Sequence, residues 1–185
     1  MPTYPSSGSE YGLGAVSADS RTGDFGTAFG IPADTAILVP KYSMSLSAKM
    51  TAYTGLVTLV QLSASTIGDQ NPVSYDIGIS VIRLEFIPEI LYGVSYRKSL
   101  TTLFPRFLKA MANYHEADIR RYFRDAFGYE GSIAESACKM IGFFTELGVD
   151  MYFDRGVTAE AIKGIDISTT LSVDEIMAIV EECLR

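Results

Sequence analysis

A chain of 185 residues, 48% apolar and 20% charged, has the composition of a folded globular domain and needs no disulfide or metal to bury a core. Fifteen Lys and Arg against 22 Asp and Glu leave a net charge of −7, which repels phosphate backbones and excludes nucleic acid as an expected partner. No run reaches the ~18 uncharged apolar residues of a membrane helix. The opening Met1-Pro2-Thr3-Tyr4-Pro5-Ser6 has neither a basic nor an apolar leader region, so a cytoplasmic protein without membrane contact is expected.

Residues 1–42 form a first unit rich in Gly, Pro, Ser and Thr. Within it Leu13–Ala18 and Asp24–Gly30 flank the turn cluster Asp19-Ser20-Arg21-Thr22-Gly23 and predict a β-hairpin. Thr35–Val39, closed by Pro40, reads as a short buried strand. Three such strands are marginal alone and must lean on something else.

From residue 43 to 185 the apolar period becomes helical. Ser47–Leu62 and Pro72–Leu91 read as apolar helices, with Pro88 expected to kink or end the second. Tyr96–Tyr114 is amphipathic and contains Pro105, which should bend it. Glu116–Phe127 places Ile119, Tyr122, Phe123 and Ala126 on one face and stops at Gly128. Ser132–Leu147 and Ser172–Leu184 each open on a Ser-x-x-Glu capping box. The predicted class is mainly α: a helical bundle preceded by a short β-hairpin and strand.

Chemistry-bearing residues are scarce. His115 is the one histidine, so no multi-histidine metal site can form and any histidine-based triad must use it. Cys138 and Cys183 lie far apart without neighbouring ligands and read as buried reduced thiols. Arg120, Arg121 and Arg124 form a basic stripe, expected to be a solvated or carboxylate-pairing helix face. The 21 Tyr and Phe are mostly core.

Several segments resemble the iron-containing alcohol dehydrogenases, especially their butanol-dehydrogenase-like branch. Pro2-Thr3-Tyr4-Pro5-Ser6-Ser7-Gly8-Ser9-Glu10 is similar to the family's phosphate-contacting P-T-x-x-(G/A)-T-G-S-E loop, and Ala36-Ile37-Leu38-Val39-Pro40 to its A-(I/V)-L-D-P strand. Thr51-Ala52-Tyr53-Thr54-Gly55 looks like the start of the helix bearing the first metal ligands. Leu91-Tyr92-Gly93-Val94-Ser95 through Leu103-Phe104-Pro105 resembles L-Y-G-(I/V)-x-H-G-x-x-L-x-x-x-(L/F)-P. The resemblance implies the helical C-terminal domain of that fold, related to dehydroquinate synthase. It also implies a preceding nucleotide-binding domain, to which nothing here corresponds, and about one helical hairpin deleted between Gly78 and Ile87.

The resemblance implies four metal ligands, an Asp and three His, at positions occupied here by Val57, Gln61, Ile82 and Tyr96. These residues cannot replace imidazoles and a carboxylate. The expected protein therefore has no metal and no nicotinamide cofactor. It would be an enzyme acting on a small organic molecule without redox chemistry, by cyclisation, isomerisation, elimination or condensation. The alternative is a non-catalytic ligand-binding or partner-docking subunit; a dehydrogenase completed by a partner ranks last.

Tyr96, Arg97 and Gln61 are the expected catalytic residues, the phenol having a pKa depressed by Arg97 and Lys98. Ser7, Ser9, Glu10, Val57 and Lys98 are the expected substrate-binding residues. Val57 and Ile82 should form an apolar wall of the old cleft. His115, at the start of a helix on the exposed side, is a weaker candidate base. Unpaired strand edges and a helical face without its former neighbour predict a homodimer.

Overall fold

The structure, a computed structural model, describes residues 14–18, 25–29, 41, 44–67, 72–154 and 169–185. Strands β1 (Gly14–Ala18) and β2 (Phe25–Phe29) pair antiparallel, with Gly14 opposite Phe29 and Ala18 opposite Phe25. This is the expected hairpin. The expected strand Thr35–Val39 lies outside the described residues.

Among the described residues five helices follow: α1 (Ala48–Thr66), α2 (Pro72–Tyr92), α3 (Tyr96–Phe127), α4 (Ile133–Glu146) and α5 (Val173–Glu182). Four begin on serine side chains that satisfy otherwise orphaned backbone donors. Ser47 accepts from Met50 N–H and Ser95 from Lys98 N–H, while Ser132 and Ser172 complete capping boxes with Glu135 and Glu175. Gly128 ends α3 at φ 67°, a left-handed conformation that L side chains rarely adopt.

Helix α3 is the axis of the bundle and packs on α1, α2, α4 and α5. Its first half is buried nearly all round: Leu103, Phe104, Phe107, Leu108 and Met111 are inaccessible to solvent. Around them close Val57 and Val60 of α1, Ile77 and Leu84 of α2, Met140 and Phe144 of α4, and Val180 of α5. After α4 the chain returns along the end of α5, where Phe153 bridges Leu184.

The prolines act differently from expectation. Helix α2 runs through Pro88 for four more residues, because Pro88 sits in the last turn, where Gly93 N–H reaches the Glu89 carbonyl and Val94 N–H the Pro88 carbonyl. Pro105 keeps helical angles within the core. The break in α3 falls at His115 (φ −136°, ψ 44°), the boundary between the two helices that the sequence period separates. The interval 78–87, where a hairpin deletion was expected, is a continuous stretch of α2.

Candidate functional site

Gln61 stands in the last part of α1 and Tyr96 opens α3, 35 positions away in sequence. The Gln61 Nε2 donates to the Tyr96 hydroxyl oxygen at 2.9 Å. Two residues singled out from the sequence are thus brought into direct contact. Gln61 is exposed and Tyr96 half-buried, so the pair lies at the border between core and solvent. The amide thus occupies the phenol oxygen as a donor, and the hydroxyl makes no other hydrogen bond among the described residues.

Helix α2 contributes a carboxyl that the sequence reading missed. Glu85 is 2% exposed, and its Oε2 has no hydrogen-bond partner among the described residues. Burial, and then the charge of Glu89 one turn on, push its pKa up to about 9, so the group is neutral at pH 7. Burial also raises Glu89, the less buried of the two. The signal was present in the sequence: Glu85 lies four and eight residues after Val81 and Ile77, on the face of α2 that enters the core.

These surroundings reverse the expected chemistry of Tyr96. Its pKa is pushed up to about 12, first by burial and then by the nearby Glu85; the Gln61 hydrogen bond and Arg97 oppose this without prevailing. The phenol is therefore a hydrogen-bond donor at neutral pH and cannot serve as the depressed-pKa base. Lys98 is engaged elsewhere. It pairs with Asp150 at 2.9 Å, which also receives Arg185, while the Tyr53 hydroxyl meets the Asp150 backbone. Lys98 thus ties the start of α3 to the α4–α5 connection through this ion pair.

The remaining expectations divide. Arg97 is half-buried, with its charge felt at Tyr96. Val57 is fully buried in the core, whereas Ile82 is 45% exposed, so the two do not form one wall of a cleft. Val57 is a packing residue one turn below Gln61. Ser7, Ser9 and Glu10 lie outside the described residues. Cys183 is buried as expected and its thiol is pushed up to about 12 by burial, but Cys138 is exposed. The basic stripe pairs with carboxylates as expected: Arg120 with Glu116, Arg121 with Asp118, and Arg124 with Asp125.

His115 is less exposed than expected. Its Nε2 meets Asp76 Oδ2 at 2.9 Å, and Thr170 and Ser80 hydrogen-bond the other Asp76 oxygen. This cluster fastens the break in α3 to α2 and to the segment entering α5. Burial disfavours the Asp76 anion, but the hydrogen bonds from Thr170, His115 and Ser80 outweigh it and hold the carboxyl below its usual range.

The fold raises the question of a metal, and the donor set does not fit one. The four positions implied by the resemblance hold two aliphatic side chains, an amide and a protonated phenol. The adjacent Glu85 would have to ionise against its burial to ligate a cation. Among the described residues no group of three or more His, Cys, Asp or Glu is arranged to hold a metal, and no helix is long and apolar enough to cross a membrane.

No known family model matches the chain, and no curated protein matches its sequence. Solved structures do. The NADH-dependent butanol dehydrogenase A of Thermotoga maritima superposes with a TM-score of 0.73 at 14% identity, over 99% of this chain and 65% of that one. YqhD of Escherichia coli K-12, described as of unknown function, superposes with a TM-score of 0.76 at 17% identity, over 98% and 64%. The chain therefore spans less than two thirds of either relative's length. Likeness at these identities establishes shape: the chain has the helical fold expected from its resemblance to the iron-containing alcohol dehydrogenases.

Proposed function

We propose that the junction of α1, α2 and α3 is the small-molecule site of a non-redox enzyme working without metal or nicotinamide. The observation that carries this reading is Glu85: a buried carboxyl with an unpartnered oxygen, held neutral beside the Gln61–Tyr96 pair. An orphaned buried polar atom costs about 1–3 kcal/mol, and a site that binds a substrate oxygen there explains why it is kept. Tyr96 supplies a second neutral donor, Gln61 orients it, and Arg97 adds a positive field. Such a set suits a reaction in which negative charge develops on one oxygen.

The chain acts as a homodimer in this reading. A two-stranded hairpin is marginal alone, and Phe143 on α4 and Leu147 at its C-cap leave apolar side chains exposed one turn apart. Sedimentation should show a dimer at micromolar concentration; a stable monomer removes that part of the proposal.

Turnover tests the site. The purified chain is incubated with the small-molecule fraction of a cell extract, and consumed compounds are found by mass spectrometry. Wild type should convert a compound into one of equal mass, or one differing by water, with no change in nicotinamide oxidation state. Tyr96→Phe should slow that conversion by roughly 10²-fold or more, as for a lost acid or oxyanion donor. A fully active Tyr96→Phe enzyme places the chemistry elsewhere.

A further inference from the structure

Resting on that site, we propose that the substrate is a neutral carbonyl compound with a hydrogen on the carbon next to the carbonyl. Glu85 and Tyr96 hold its oxygen, and Glu89 moves the proton. The two glutamates stand four residues apart on α2, so their side chains share a face, and both are electrostatically felt at the Tyr96 hydroxyl. Their environments differ: Glu85 is 2% exposed with an oxygen unpartnered, whereas Glu89 is only partly buried. Two carboxyls in one site avoid double ionisation by dividing the roles of acid and base. The buried one keeps its proton and the more accessible one is the carboxylate.

The donor and acceptor inventory selects the ligand class. Among the described residues the Glu85 Oε2 has no partner and the Tyr96 hydroxyl donates to none, and an acceptor is what a carbonyl oxygen provides. An anionic substrate would face the Glu89 charge. A cationic one would face Arg97 and would force Glu85 to ionise where it is most buried. A neutral carbonyl meets none of these costs.

The step closes without a co-reactant. The Glu89 carboxylate takes the proton from the carbon beside the carbonyl, and the C–H electron pair becomes a carbon–carbon double bond. The carbonyl π pair moves onto oxygen, where the hydrogen bonds from Glu85 and Tyr96 strengthen as charge builds. The proton on Glu89 then returns to a carbon of the enolate. The product is an isomer, or the same compound with its hydrogen exchanged.

Two probes test this on the full chain: cyclohexanone in D2O, followed by 1H NMR for exchange beside the carbonyl, and 4-fluorophenol as an enol mimic, followed by 19F NMR for binding. Wild type should accelerate exchange and bind the phenol. Glu89→Gln should lower exchange by roughly 10²-fold while still binding the phenol. Glu89→Asp, which keeps the charge, should retain part of the activity. Glu85→Met removes the hydrogen-bond donor at similar volume, and should also lower exchange by roughly 10²-fold. Circular dichroism and urea midpoints establish that each variant is folded. Exchange at the buffer rate with wild type, or at the wild-type rate with Glu89→Gln, overturns the proposal. If the phenol still binds in a Tyr96-dependent way, only the carbonyl assignment falls. If the phenol does not bind either, the site itself falls with it.

Discussion

Replacing Glu85 by Gln should change how stability depends on pH. With a folded pKa of about 9 against an unfolded 4.5, Glu85 stays protonated on folding while the unfolded chain releases the proton above pH 4.5. A raised folded pKa means its contribution is fully favourable below the unfolded value and is lost as pH rises towards the folded one. Between those values one proton is taken up on folding, and stability falls by about 1.4 kcal/mol per pH unit. From pH 6 to pH 8 the wild type should therefore lose about 3 kcal/mol through this residue alone. Glu85→Gln has no such proton, so its stability should decline less by that amount over the same interval. The amide brings its own hydrogen-bonding cost, up to ~3 kcal/mol, but that cost is equal at both pH values and cancels in the difference. Urea unfolding of both proteins at pH 6 and pH 8 gives the four free energies required. Parallel pH dependence in the two proteins would show that Glu85 ionises normally in the folded chain, and the neutral-acid reasoning would fail.

The Tyr96 phenol should titrate near 12 in an absorbance titration at the phenolate band, and its transition should vanish in Tyr96→Phe; ionisation near or below 10 contradicts its environment. Phe104→Ala, deep in α3, should cost about 3–5 kcal/mol by urea unfolding. Ser132→Ala and Ser172→Ala should each cost about 1 kcal/mol. Lys98→Met should cost no more than about 1 kcal/mol and leave turnover unchanged, since Lys98 serves the Asp150 ion pair. Asp76→Asn should lower stability above pH 4 by roughly 1–2 kcal/mol. Because its folded pKa is depressed, the wild-type advantage should disappear as pH falls through that value.

The helices were legible because local rules decide them. Ser132 and Ser172 with a glutamate three residues on announce α4 and α5, and the broken period at His115 marks where α3 leaves helical angles. Pro88 misled because the penalty of a proline depends on how much helix follows it, and only the last turn does. Gln61 and Tyr96 were found through the resemblance, since nothing local links residues 35 positions apart. The ionisation of the Tyr96 phenol was misread for a physical reason. Neighbours in sequence, Arg97 and Lys98, point in different directions from the helix start, and Lys98 reaches Asp150 instead. The phenol is governed by burial and by Glu85, a residue of another helix whose effect appears only once α2 and α3 pack. Val57 and Ile82 failed as a shared wall because one enters the core and the other faces outward.

Native mass spectrometry of the purified full chain, as wild type and as Tyr96→Phe, most directly tests whether Gln61, Tyr96 and Glu85 form a metal-free small-molecule site on this fold. Wild type should carry no iron or zinc and should retain a small organic molecule that Tyr96→Phe loses. One iron or zinc per chain, removed by chelator with loss of the folded structure, would contradict it.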